Sequence, residues 1–287
     1  MEGRKIKNII IIILLLLNGF LLIPVGGRRA KSARSQDVAL NSAVEILRSS
    51  GIVLEDDIVP RQADLPALQV VRDLTLEQEQ AVRLLGSGVT VLARGGDVYR
   101  YESERGWMQI HSTGEFVAEF EPDAFPVGED PVKQASRLLE QLDFDAVLWE
   151  QAEDRLVFEQ TVNGVRVLGC QAVLCCRDGA VVSIEAGSRV SGTTRTETQP
   201  ASVSAATSLM RLYNGLNKLG DIYNRIEQVE PAYRLSVSLS DPARLTPVWY
   251  VKTDTGAYQM ELQSGQVSRM GGIAVPAAQA DEAIEEF

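Results

Sequence analysis

The chain has 287 residues, 45% of them hydrophobic, which is typical of a folded globular protein and argues against a disordered one. Its net charge of −11 is unevenly distributed, because residues 1–34 carry seven Lys/Arg and one acidic residue, whereas the remainder carries 21 Lys/Arg and 38 Asp/Glu. An acidic body repels phosphate, so the charge argues against nucleic acid as a partner.

An apolar segment, residues 8–25, lies between a short basic head of residues 1–7 and a basic stalk of residues 26–34. As a helix it would span ~25 Å, close to the ~30 Å core of a bilayer, and the flanking basic side chains can reach the headgroups. A cleaved signal peptide is the alternative, but Val25-Gly26-Gly27 is a poor cleavage site. We therefore predict an uncleaved, single-pass anchor in the cell membrane, with a cytoplasmic N-terminus and an ectodomain outside.

Asn18 and Gly19 interrupt the apolar run just past its middle. An amide in lipid seeks a hydrogen-bond partner, and glycine allows a second helix backbone to approach, so both residues are candidates for a transmembrane partner contact. In the alternative interpretation, Asn18 simply reaches the headgroup region. The sequence favours neither.

Residues 35–122 are predicted to form an N-terminal α+β module. Its second helix should begin at Thr75 as N-cap. The apolar contacts of this helix should come from Leu76, Ala81, Val82, Leu84 and Leu85. From Val89 to Phe120 the apolar period changes to two, and glycine-containing turns divide the segment into a predicted meander of four strands.

The helix-plus-strands arrangement then recurs after a segment rich in proline and acidic residues, 121–131. A central module, residues 130–190, should start with a helix capped by Asp130 with Pro131 in its first position, followed by hairpins at Asn163-Gly164 and Asp178-Gly179. A third module occupies residues 200–272, and residues 273–287 form an acidic tail predicted to be flexible. The predicted fold class is α+β, with helices on antiparallel sheets.

Chemistry-bearing side chains are few. The single histidine, His111, lies beside a glycine turn, and Cys170, Cys175 and Cys176 lack the spacing of a metal site or a redox pair. Strand alternation places Cys170 and Cys176 on the same apolar face as Leu168, where we interpret them as small buried hydrophobic side chains. The sequence therefore predicts no catalytic, metal or cofactor-binding residue, and no small-molecule ligand can be named.

The stretch "LTPVWYVKTDTGAYQMELQSGQVSR" near the end of the chain is predicted to be a hairpin. Alternation directs Trp249 and Val251 to one face and Tyr250 to the other. We interpret Trp249 as a core residue beneath the helix of residues 203–213. Tyr250 and Tyr258 are the aromatics we expect to be exposed, and hence the candidate ectodomain contacts.

Several segments resemble the YycI/YycH-type regulatory proteins of Gram-positive bacteria. They are the opening "MEGRKIKNIIIIILLLLNGFLL", the hairpins in "NGVRVLGCQAVLCCRDGAVVSIEAG", and "SAATSLMRLYNGL", "IYNRIEQVEPAYRL" and "LTPVWYVKTDTGAYQMELQSGQV" in that order. The resemblance covers the anchor and residues 130–270. It implies PepSY-like modules, each a helix on a small antiparallel sheet, with residues 200–272 as the C-terminal one.

The resemblance also implies a function. Such a protein would be a non-enzymatic, extracytoplasmic regulator that modulates a sensor histidine kinase of a two-component system controlling the cell envelope. It would act through transmembrane and ectodomain contacts, together with a related anchored regulator. The alternative is a membrane-tethered, PepSY-like binding or inhibitory module that acts on a secreted peptidase or a cell-wall component.

Overall fold

The computed structural model describes residues 35–54, 58–61, 65–198, 203–238 and 242–270. Within these ranges the fold is α+β, with four helices and fifteen strands joined in one hydrogen-bonded network. Most strand pairs are antiparallel, so the predicted α+β class is confirmed. The basic head, the anchor, the stalk and the acidic tail predicted from the sequence lie outside the described residues.

The helices are α1 (35–49), α2 (Leu74–Leu85), α3 (Pro131–Gln141) and α4 (Ala205–Leu219). The first six strands are β1 (Val53–Leu54), β2 (Ala67–Val71), β3 (Thr90–Gly95), β4 (Val98–Ser103), β5 (Gly106–Ile110) and β6 (Phe116–Phe120). The next five are β7 (Ala146–Gln151), β8 (Arg155–Val162), β9 (Val165–Arg177), β10 (Ala180–Ala186) and β11 (Thr193–Thr198). The last four are β12 (Arg225–Ser236), β13 (Ala243–Thr253), β14 (Ala257–Glu261) and β15 (Val267–Arg269).

One half of the fold, the meander half, is an antiparallel sheet in the order β7-β8-β9-β10-β6-β5-β4-β3. Helices α2 and α3 cover one of its faces. Alternate strand residues such as Met108, Phe116 and Leu174 point towards these helices and are fully buried. The four predicted strands of residues 89–120 are present as β3 to β6. The opposite face carries no helix among the described residues.

The other half, the C-terminal half, contains strands β11-β2-β13-β12, with β1 beside β12, β14 beside β13 and β15 beside β14. Helices α1 and α4 pack together on one face of it. Leu47 of α1 and Leu209, Leu212 and Leu216 of α4 share a core with Trp249. The fold thus places the first helix of the described chain against its last strands.

Strand β9 belongs to both halves. Its C-terminal part pairs with β10 and β8, and its first residues, Val165 and Arg166, pair with β8 as well. Between these stretches, Val167 and Leu168 pair in parallel with Tyr233 and Arg234 of β12. An irregularity lies beside this stretch at Gly169, whose φ of +77° is easily reached only without a Cβ, and the register with β8 shifts there.

This irregularity corrects one expectation about the cysteines. Cys170 packs with Val167, whereas Leu168 packs on the opposite face, so Cys170 and Leu168 do not share a face. Simple alternation failed because the irregular segment around Gly169 interrupts the period of two.

Strand pairing joins segments that the sequence predicts to be separate modules. Strand β6 of residues 35–122 pairs with β10 of residues 130–190, and β2 of residues 35–122 pairs with β13 and β11. Residues 121–131 therefore mark a change of element, and the sheet continues across it. Whether the three segments are separate folding units stays a prediction.

Two helix starts differ in outcome. Asp130 caps α3 as predicted, accepting a hydrogen bond from the Lys133 N–H at 3.0 Å, with Pro131 in the first position. For α2 the predicted cap, Thr75, is wrong. The cap is Asp73, whose Oδ1 accepts from the N–H groups of Thr75 and Leu76 at 3.0 and 3.2 Å. Asp and Thr are both good caps, and the carboxylate two residues earlier takes the free N–H groups.

Candidate functional site

Asn18 and Gly19, the predicted transmembrane contacts, lie outside the described residues. Within the described ranges, none of the helices has both the length and the apolar character needed to cross a bilayer. The anchor at residues 8–25 stays a prediction.

Tyr250 and Tyr258, expected to be exposed, are buried, with exposed fractions of 6% and 3%. Tyr250 packs with Leu168 and Val248 on the face away from α4, and the Arg166 guanidinium lies 5.0 Å from its ring centroid. The expectation of exposed aromatics was wrong because both faces of this sheet are covered at that point. Tyr258 lies opposite Val251, on the α4 side, and its hydroxyl donates to Asp221 at 2.9 Å.

Trp249 is 1% exposed and lies in the core beneath α4, as predicted. Its indole N–H has no hydrogen-bond partner among the described residues. The ring therefore acts as a large apolar side chain that fills the core.

A second candidate surface is the helix-free face of the meander half, which we call the open face. It holds a shallow groove of about 550 Å³. Register places Val117, Glu185, Val173 and Val157 directly opposite one another across β6, β10, β9 and β8, so their side chains form one row. Trp149 of β7 closes the groove at one end with 42% of its surface exposed.

The charges around this groove are mostly negative. Glu115, Glu150 and Glu185 line it, against the single guanidinium of Arg155, which is itself paired with Glu150 at 3.3 Å. A groove that combines apolar side chains with several carboxylates is complementary to an extended segment with apolar and basic side chains.

Arg166 supports Trp149 from beneath. Its guanidinium lies 4.5 Å from the Trp149 ring centroid and forms ion pairs with Glu159 of the meander half and Glu230 of the C-terminal half. Burial lowers the pKa of Arg166, but the hydrogen bonds and charges of Glu159 and Glu230 outweigh burial and raise the pKa above its usual value. Trp149 is thus held over a permanently charged, ordered side chain.

Strand β7 also presents a free edge. Among the described residues it pairs only with β8, and its residues Val147, Leu148 and Trp149 are all substantially exposed. An exposed edge strand with apolar side chains is the arrangement to which an extended peptide adds as a further strand.

Groups capable of reaction are sparse in the part of the chain that the structure describes. It contains no cluster of three or more His, Cys, Asp or Glu side chains suited to a metal ion. The three cysteines are unpaired, and burial raises the pKa of Cys170 to about 12, which leaves an inert thiol. His111 directly follows β5, and its Nε2 lies 2.9 Å from the amide nitrogen of Gln109.

The open face was not predicted from the sequence. The apolar triplet Val147-Leu148-Trp149 could have revealed it. A short polar turn separates this triplet from the strand "RLVFEQTV", and two apolar segments joined in this way have the pattern of a hairpin. Three consecutive apolar residues place at least one on each face of a strand, which predicts an exposed apolar side chain if one face is solvated.

Comparison with known proteins gives distant similarities only. No protein-family model and no curated protein matches the chain. Among solved structures, an uncharacterized protein from Eubacterium rectale ATCC 33656 is 11% identical, with a TM-score of 0.43, covering 76% of this chain and 85% of the other. The Bacillus megaterium YpeB C-terminal domain is 12% identical, with a TM-score of 0.36, covering 71% of this chain and 100% of that domain. At these TM-scores neither similarity assigns a family or a function.

Proposed function

We propose that the protein is a non-enzymatic, membrane-anchored regulator that modulates a sensor histidine kinase from outside the membrane. The open face would bind an extended, basic segment of the kinase ectodomain, and the helix of residues 8–25 would contact the kinase helices at Asn18 and Gly19. The observation that supports a binding role is the groove ending at Trp149, which combines exposed apolar side chains with carboxylates. The kinase as partner, and a second anchored regulator beside it, rest on the resemblance of the sequence.

We also propose that the C-terminal half is a PepSY-like module. In support, α4 lies across the antiparallel strands β12, β13 and β14 and shares a core with them. In such a module the sheet is a scaffold, and the free surface of the neighbouring sheet is available for a partner.

The free edge of β7 favours the second candidate, a tethered binding or inhibitory module that captures a secreted peptidase or a cell-wall component by strand addition. The two candidates use the same surface and differ in the protein captured there.

Photocrosslinking from the full-length protein in its native membrane distinguishes them. The substitution Trp149→p-benzoylphenylalanine places the reactive group at the end of the groove, and the same substitution at Asn18 places it within the anchor. We expect both positions to capture one and the same sensor histidine kinase, identified by mass spectrometry. The matched control is Ile222, an apolar side chain that is 84% exposed on the other half of the fold and should capture no kinase.

Capture of a secreted peptidase or a cell-wall component at position 149, with no kinase at either position, would replace the first candidate by the second. Equal capture at positions 149 and 222 would contradict both, because the open face would then be no more reactive than any exposed apolar side chain.

A further inference from the structure

A second cavity, of about 550 Å³, lies where the two halves of the fold meet. One wall is formed by the end of β2 and the start of β13, and the other by the turn at 96–97 and the turn at 111–114. Its volume is within the range of small-molecule sites, about 300–1,000 Å³. None of the residues proposed above for partner binding lines it.

Arg189 lines this cavity and is 3% exposed. Its Nη2 donates to two neutral acceptors, Gln80 Oε1 at 3.3 Å and Ser191 Oγ at 3.2 Å, and its Nε has no partner among the described residues. Within the described ranges no carboxylate lies within ion-pair distance of it. A buried guanidinium without a counter-ion is costly, so an anion is the group this position lacks.

The carboxylates near Arg189 are already engaged by other side chains. Buried Glu77 accepts from Arg72 Nε and Nη2 at 2.7 and 2.9 Å, and Asp143 pairs with Arg83. Burial lowers the pKa of Arg189 to about 10, so its guanidinium is still charged at neutral pH. The interior network therefore holds one cation more than its paired carboxylates neutralise.

The turn at 111–114 adds hydrogen-bond donors to this wall. Ser112 and Thr113 bring hydroxyl groups, and their backbone N–H groups donate to no acceptor in the described part of the chain. His111 lies on the same wall. Asp97 is the acidic residue among the described lining residues, and it lies in the exposed turn between β3 and β4.

The facing wall is apolar. Val70, Val71, Val237, Pro242 and Ala243 line it. A cavity with a buried cation and free donors on one side and aliphatic side chains on the other is complementary to a molecule with an anionic end and a small apolar body.

We propose that this cavity binds a small aliphatic carboxylate, whose carboxylate group neutralises Arg189 and whose hydrocarbon part lies against Val70, Val71 and Ala243. Guanidinium and carboxylate match in geometry and charge, which makes this the favoured anion for a buried arginine. The inference is independent of the kinase proposal, since a ligand site can exist whichever protein the open face binds.

The test is calorimetric titration of the purified full-length protein in detergent with three probes: hexanoate, hexanol and inorganic phosphate. Hexanoate should bind saturably. Hexanol, which has the same chain without the charge, and phosphate, which has the charge without the chain, should each bind at least about tenfold more weakly. Hexanol or phosphate binding as tightly as hexanoate, or an absence of saturable hexanoate binding at millimolar concentration, would overturn the proposal.

Two kinds of variant locate the site. Arg189→Met should weaken hexanoate binding at least about tenfold while the protein without ligand remains folded, because an apolar side chain replaces an uncompensated buried charge. Val237 is 40% exposed at the cavity, so changes there are tolerated more easily. Val237→Glu should weaken hexanoate binding severalfold, and the matched Val237→Gln should not. Unchanged hexanoate binding in Val237→Glu would place the ligand elsewhere, whether or not Arg189→Met folds.

Discussion

The Asp221 carboxylate connects the end of helix α4 to strands β14 and β15. It lies just after α4 and accepts hydrogen bonds from Tyr258 of β14 and from Arg269 Nε of β15, at 2.9 and 2.7 Å. The hydrogen bond from Arg269 holds the pKa of Asp221 below its ordinary 3.8, although burial acts in the opposite direction. Tyr258, expected on the surface, is thus fixed in place by a carboxylate.

We predict that Asp221 contributes to the acid sensitivity of the protein. Because its pKa is lower in the folded than in the unfolded chain, its contribution is complete above pH 3.8 and is lost as the pH falls through the folded pKa. Asp221→Asn should therefore be less stable than the natural protein at pH 7, and the difference should shrink as the pH falls below 3.8.

Urea unfolding at a series of pH values measures this difference. Glu153→Gln is the control, because Glu153 is exposed and forms no ion pair among the described residues. If the difference in unfolding free energy between Asp221→Asn and the natural protein stays constant from pH 7 to below pH 3.8, the charge of Asp221 is irrelevant to stability.

Helix α2 depends on its first turn for both stability and position. It supplies Ala81, Leu84 and Leu85 to the core of the meander half, and Glu77 and Gln80 to the buried network around Arg189. The cap at Asp73 fixes where this helix begins, and hence which of its residues face the sheet.

Removing the cap should be measurable. We predict that Asp73→Ala lowers the free energy of unfolding by about 1 kcal/mol, because two backbone N–H groups lose their acceptor. Asp73→Asn retains an acceptor oxygen, so it should lower the free energy of unfolding by only about 0.3 kcal/mol. Thr75→Ala, at an exposed position, should stay within about 0.5 kcal/mol of the natural protein. A larger loss in Thr75→Ala than in Asp73→Ala, measured by chemical denaturation, would restore Thr75 as the effective cap.

Strand β9 and the Arg166 side chain both connect the two halves of the molecule. Strand β9 runs through both sheets, and Arg166 near its start pairs with Glu159 in one half and Glu230 in the other. Glu159 is almost completely buried, so it depends on Arg166 for its counter-charge. This arrangement couples the stability of the halves, and it also orders Trp149 on the open face.

We predict that Arg166→Gln lowers the free energy of unfolding by more than about 2 kcal/mol, because it leaves a buried carboxylate unpaired. Two single-tryptophan proteins report the halves separately, one retaining Trp107 in the meander half and the other Trp249 in the C-terminal half. Fluorescence-monitored denaturation should show both transitions shifting together.

Arg100→Gln is the matched control. Arg100 pairs with Glu102 at 2.6 Å within a single sheet and is less buried than Arg166, so its loss should cost about 1 kcal/mol or less. A shift seen by only one of the two tryptophans in Arg166→Gln would mean that the halves unfold independently.

Local patterns predicted much of this fold. Period-two alternation and glycine turns predicted the β3–β6 meander, and Asn163-Gly164 and Asp178-Gly179 form the expected turns, with positive φ at all four residues. The start of α3 and the burial of Trp249 were predicted as well, because they follow from residues adjacent in sequence or from the faces of a single strand. Contacts within about a dozen residues are encoded by local conformational preference and apolar period.

The pairing of distant segments was beyond these patterns. That β6 pairs with β10, that α1 packs on α4, and that β9 pairs with strands of both halves depend on which apolar faces meet, and many pairings satisfy the same alternation. The surfaces follow from those pairings. Tyr250 is buried because Arg166 and Leu168 cover it, Trp149 is exposed because β7 is an edge, and Arg189 lines a cavity because the two halves meet there. Sequence thus determines the elements and their inward faces, whereas exposure and binding surfaces arise from long-range packing, which no local period encodes.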